Sequence, residues 1–106
     1  MTRLAAAAVL VCCLQGCAPQ HYMFIQAEQL TLVLQAPEAK QVRFASSLDE
    51  YYLHTPAKNK DGKWIVTVPS QREFQYFYMV DGELFLPECR FKQADDFGTF
   101  NCRYLP

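Results

Sequence analysis

The residue pattern that most restricts this chain is a two-residue alternation that recurs in short runs, each stopped by turn residues. In QLTLVLQ, Leu30, Leu32 and Leu34 share a side, and in QVRFAS, Val42 and Phe44 do. KWIVTV groups Trp64, Val66 and Val68. EFQYFYMV sets Phe74, Tyr76, Tyr78 and Val80 against Gln75, Phe77 and Met79, while TFNCRYL sets Phe100, Cys102 and Tyr104 against Thr99, Asn101 and Arg103. Successive side chains of a strand point to opposite faces, so each run predicts a half-buried strand. No stretch carries a helical period. Asp61-Gly62 and Asp81-Gly82 supply turns, the second with the two-residue signature of a tight hairpin. Pro37, Pro56, Pro69 and Pro87 stand at run ends, where a missing N–H does not break a ladder. Short strands without helices predict an all-β antiparallel sandwich of about seven strands, with Trp64 as a core anchor.

The first residues, MTRLAAAAVLVCCLQGC, join one positive charge at Arg3 to an apolar run that stops near Leu14-Gln15-Gly16-Cys17. The run is shorter than the roughly 20 residues a membrane span requires, and it has the layout of a secretory signal. Leu14, Gly16 and Cys17 resemble the lipobox of bacterial lipoproteins, with Gln15 less typical of its position. That resemblance implies cleavage after residue 16, diacylglycerol on the Cys17 thiol and a third chain on its amine. Two or more acyl chains give stable anchoring where one does not. Ala18, in place of an aspartate, implies sorting to the outer membrane. An ordinary cleaved signal with a chance cysteine is the competing reading. The expected organisation is a leader at 1–16, a lipidated tether at 17–28 with room for a short first strand, in which Tyr22, Met23, Phe24 and Ile25 are apolar enough to dock, and a single domain at 29–106.

A mature chain of roughly 90 residues buries a limited core and often needs a covalent staple. Cys12 and Cys13 leave with the leader and Cys17 is taken by lipid, so Cys89 and Cys102 remain. An exported compartment lets them oxidise, and the resulting disulfide is worth about 3 kcal/mol in the chain-entropy picture. Two buried thiols and metal ligation are the alternatives; the latter has no neighbouring histidine or cysteine to support it.

From VRFASSLDEYY through DGKWIVTVP and FQYFYMVDGE to DDFGTFN, the order of elements resembles an early-set immunoglobulin-like domain of the glycogen-binding, isoamylase N-terminal type, carbohydrate-binding module family 48. The likeness runs from Val42 to Tyr104. Its most specific parts are the aromatic strand entering Val80-Asp81-Gly82 and the later Phe97-Gly98-Thr99-Phe100-Asn101. The resemblance implies a glycan face on which Tyr51 is a stacking platform and Thr99 and Asn101 bond sugar hydroxyls. Phe77 stands where such modules carry a lysine, and Leu84 where they carry a second aromatic platform. Losing a stacking surface and a charge-assisted bond removes several kcal/mol on ordinary magnitudes, so α-glucan binding is expected to be feeble or absent. Phe77 and Leu84 offer an apolar contact surface for a protein instead.

Catalytic chemistry needs a nucleophile with a base, paired carboxylates or a metal cage. His21 falls in the expected tether and His54 in a loop, and Asp95-Asp96 lacks the spacing of a calcium loop. Modules of the resembled group often precede a catalytic barrel of ~250 residues, for which this chain offers no segment. With a formal net charge of −1 and no basic cluster, nucleic acid is not an expected partner. The expectation is therefore a non-enzymatic, cofactor-free lipoprotein that binds an envelope protein, by edge-strand addition, with an envelope glycan held by Tyr51, Thr99 and Asn101 as the alternative.

Overall fold

The computed structural model describes residues 19–94, 98 and 100–106. The leader at 1–16, the lipidation candidate Cys17, and Asp95, Asp96, Phe97 and Thr99 of the closing bend lie outside the described residues. The strands among the described residues are β1 (Gln20–Gln26), β2 (Gln29–Gln35), β3 (Val42–Ser46), β4 (Ala57–Lys58), β5 (Lys63–Pro69), β6 (Phe74–Val80), β7 (Glu83–Phe85), β8 (Lys92–Ala94) and β9 (Phe100–Tyr104). A single 3-10 turn, Ser47–Asp49, interrupts them.

These strands form two antiparallel sheets, one in the order β1-β2-β5-β4 and the other β3-β6-β9-β8, with β7 also paired to β6. Lettered along the chain, the four-stranded sheet reads A-B-E-D. The other reads C-F-G, with β7 paired beside F and β8 beyond G. This is the immunoglobulin arrangement. The alternating residues fill the space between the layers: Leu30, Leu32 and Leu34 of β2 and Trp64 of β5 meet Val42 and Phe44 of β3, Phe74, Tyr76 and Tyr78 of β6, and Cys102 and Tyr104 of β9. Each such side chain contributes roughly 1.5–3 kcal/mol by leaving water. Trp64 is buried, and its Nε1–H donates to the Ala36 carbonyl at 3.1 Å, so the anchor's polar atom is satisfied. Gly62 lies where a Cβ would meet Pro37 at 2.6 Å, and its φ of 76° is the left-handed geometry that favours glycine.

β6 organises its sheet. β3 runs along one side of it, while the other side is shared end to end, β9 pairing with Phe74 to Tyr76 and β7 with Tyr78 to Val80. The connection after β7 is held by the Cys89–Cys102 disulfide, whose Cα atoms are 5.8 Å apart. Phe85, Leu86 and Cys89 pack against the core beside it.

Three differences from the sequence reading have local causes. The segment read as a tether with room for a short first strand is a seven-residue strand, β1, which pairs with β2 along its whole length from Gln20↔Gln35 to Gln26↔Gln29. The sandwich therefore starts at Gln20, not at residue 29. Its hairpin closes through Ala27 and Glu28, with φ of 52° and 64°. A turn with both central residues at positive φ is usually written Asn-Gly or Asp-Gly, and Ala-Glu carries no such signal. The strand total exceeds seven because β1 joins the sheet and because β4 and β8 are too short to show a period. Phe100, grouped with Cys102 and Tyr104, is 54% exposed. The pairing of β9 with β6 runs only from Tyr104 to Cys102, which leaves Phe100 beyond the covered part of the sheet.

Candidate functional site

The outward face of the five-stranded sheet is set by the same alternation that builds the core. With Phe74, Tyr76 and Tyr78 buried inward, β6 presents Gln75, Phe77 and Met79 outward. Across the β3 pairing, Ala45 faces Phe77 and Arg43 faces Met79; across the β7 pairing, Leu84 faces Met79. Tyr51 reaches this face from the loop after the 3-10 turn. Glu50 and Tyr51 are consecutive residues at positive φ (61° and 64°), and the Tyr51 N–H donates to the Ser46 carbonyl at 2.8 Å, which folds the chain back over the sheet. The rings of Tyr51 and Phe77 then lie 6.0 Å apart, only 16° from parallel. Leu84 is more than half exposed. Tyr51, Phe77, Met79 and Leu84 thus form an apolar field on one face.

Asn101 lies on the same face but in different surroundings. It is buried, and its Nδ2 donates to Gln75 Oε1 at 3.3 Å. Arg103 continues the polar strip, donating to Gln93 Oε1 at 3.2 Å and to Glu73 Oε2 at 2.9 Å. A shallow groove of about 310 Å³ runs past Ser47, Gln75, Gln93 and Arg103. Of the five residues singled out from the sequence, the fold thus gathers Tyr51, Phe77, Leu84 and Asn101 on one face. Thr99 lies outside the described residues. The polar donor expected of Asn101 is already engaged with a neighbour, while the apolar positions remain accessible.

His54 lies in a loop, as read from the sequence, whereas His21 differs in setting. His21 belongs to β1, and its Nε2 lies 3.1 Å from the Tyr78 hydroxyl, with the Tyr76 ring alongside. Burial lowers its pKa to about 4 and raises those of Tyr76 and Tyr78 well above the usual phenol range, so at neutral pH the cluster is uncharged. Among the described residues the Tyr76 hydroxyl has no hydrogen-bond partner. A neutral imidazole bonded to a protonated phenol ties β1 to β6; sequence alternation missed it because His21 sat in a run with no polar partner in view. His54 pairs with Asp49 through its side chain, and its backbone bonds Phe44 in both directions at 2.8 and 2.9 Å. It closes the free side of β3. Beside it a groove of about 280 Å³ enters between the sheets, lined by Phe44, Leu48, Pro56 and Val66 among others. Among the described residues no cluster of three or more histidine, cysteine or acidic side chains is arranged to hold a metal ion.

The remaining surface feature is β1 itself, the outermost strand of its sheet. Tyr22, Met23, Phe24 and Ile25 are all exposed, Ile25 by 60%. Lys63 Nζ sits 5.9 Å above the Tyr22 ring. Among the described residues no helix is long and apolar enough to cross a membrane. No protein-family model matches the chain, and no curated protein matches it in sequence.

Proposed function

We propose that this chain is a non-enzymatic binding module of the bacterial envelope, attached to the outer membrane by lipid on Cys17, and that it engages a protein partner. The proposed contact is the outward face of the five-stranded sheet. The observation that carries the reading is the apolar field of Tyr51, Phe77, Met79 and Leu84: the stacked Tyr51–Phe77 pair covers the place where a resembled glycan module would keep a lysine, and Leu84 stands exposed where it would keep a flat ring. Exposed apolar patches with a polar rim favour protein contacts, and Gln75, Asn101 and Arg103 supply such a rim.

A glycan reading keeps one observation in its favour. Tyr51 is 37% exposed, which leaves ring surface for the apolar face of a sugar. Against it stands the engaged amide of Asn101.

A photo-crosslinker at position 84 of the full chain in intact cells tests the leading reading. One dominant protein adduct, lost in Tyr51→Ala and in a Leu84→Asp chain probed from position 79, supports it; a diffuse smear contradicts it. Retention on α-glucan that disappears in Tyr51→Ala would move the assignment to the glycan. Labelled palmitate entering the chain, and failing to enter Cys17→Ser, is the expected result for the anchor.

A further inference from the structure

We propose that β1 is a self-pairing edge: two copies of this chain join β1 to β1 in antiparallel register about Met23, making one continuous sheet across the dimer. The two-residue turn at Ala27 and Glu28 closes the hairpin at Gln26↔Gln29, the pair that a tight turn bonds. Bonded and non-bonded pairs alternate along an antiparallel ladder. Gln20, Tyr22, Phe24 and Gln26 therefore turn their backbone groups toward β2, and His21, Met23 and Ile25 turn theirs outward.

The other sheet edges are short or closed. β4 has two residues, β8 has three, and β3 is bonded by His54 through Phe44. Proteins guard long edges with charge, proline or a bulge. β1 has none of these: QHYMFIQ contains no Asp, Glu, Lys, Arg or Pro, and its pairing with β2 is continuous.

The strand is complementary to itself. Set antiparallel with Met23 on the two-fold axis, Gln20 meets Gln26, His21 meets Ile25, Tyr22 meets Phe24 and Met23 meets its own copy. The outward groups of His21, Met23 and Ile25 then face only one another, so every free donor and acceptor of the edge is used. A one-residue slip would set each of them against a residue whose groups point away, and a two-residue slip would leave His21 or Ile25 without a strand partner, so this register uses the edge most fully. On the outer side of the sheet Tyr22 and Phe24 form aromatic cross-strand pairs; on the inner side Met23 and Ile25, exposed in one copy, pack between the two sandwiches. A second copy is thus the occupant whose hydrogen-bonding pattern and side-chain chemistry both fit. The pairing uses a different surface from the proposed partner face and does not depend on the acyl anchor.

Register-specific crosslinking tests it in the full-length exported chain. Facing Cα atoms of a bonded antiparallel pair lie about 5.5 Å apart, within the reach of a disulfide. Met23→Cys should therefore give a covalent dimer under mild oxidation. Ile25→Cys, whose two copies sit about 13 Å apart in this register, should give at least tenfold less. No dimer from Met23→Cys, or equal dimer from both, overturns the proposal. Sedimentation is the second measurement: the mass of the unsubstituted protein should rise with concentration, while Met23→Lys, with unchanged circular dichroism, should remain monomeric at tenfold higher concentration. A wild-type monomer throughout, or a dimer that survives Met23→Lys, contradicts it.

Discussion

β1 and β6 are both seven residues long and rich in large apolar side chains, QHYMFIQ in one and FQYFYMV in the other, yet their surroundings are opposite. β6 has neighbours on both sides and a sheet beneath it, so Phe74, Tyr76 and Tyr78 are almost fully removed from water. β1 has one neighbour, and Tyr22, Met23, Phe24 and Ile25 stay exposed. Composition alone would rank them alike. Place in the sheet order decides which strand stabilises the fold and which remains free to bind.

The contrast is tested most severely by truncation. Phe74→Ala in β6 should cost about 3–5 kcal/mol through lost transfer energy and a cavity, whereas Phe24→Ala in β1 should cost less than about 1 kcal/mol. Urea denaturation measures both, and similar losses would break the comparison. Next in size is the staple that fixes the strands beside β6. Reducing Cys89–Cys102 should lower stability by about 3 kcal/mol, read as a shift in denaturation midpoint with and without reductant.

The bond between the two strands has its own signature in pH. His21 has a pKa of about 4 in the folded chain, against the ordinary histidine value of 6.5 when the chain is unfolded. The unfolded state therefore binds more protons between those values, and the sign follows: stability is fully present above pH 6.5 and falls as pH drops toward 4. At about 1.4 kcal/mol per pKa unit, and allowing for the partial exposure of the ring, the loss is about 2 kcal/mol. Carboxylates titrate nearby, so the quantity to compare is denaturation of the wild type and of His21→Gln across that window; the difference between them should shrink on acidification.

The smallest expected effect distinguishes the two hairpins. Asp81-Gly82, at φ of 50° and 83°, and Ala27-Glu28 both close with positive φ, but only the first has a glycine to adopt it. Glu28→Gly should stabilise β1 by about 0.5–1 kcal/mol, seen as a rise in thermal midpoint.

The same contrast explains what could be read in advance. The runs that became β2, β3, β5, β6 and β9 have one wet and one buried face, so period and burial agree. The all-β sandwich was legible for that reason, and the Cys89–Cys102 bridge from the two cysteines that remain outside the expected leader and lipid site. β1 was legible only as a short strand inside a tether, because its apolar residues occupy both faces and its turn is Ala-Glu. The face carrying Tyr51, Phe77, Leu84 and Asn101 was legible from alternation and resemblance, but Asn101's engagement with Gln75 depends on where β9 stops pairing with β6. Nor could local sequence show His21 reaching Tyr78, a contact between residues 57 apart in the chain.

The account rests on residues 20–26 being a true strand with one open side, and amide hydrogen exchange by NMR tests that residue by residue. In dilute solution the amides of Tyr22 and Phe24 should be protected, while those of His21, Met23 and Ile25 exchange freely; raising the protein concentration should bring protection to the latter set. Free exchange along the whole segment would show a tether rather than a strand. Protection of Met23 in dilute monomer would show that the edge is already occupied.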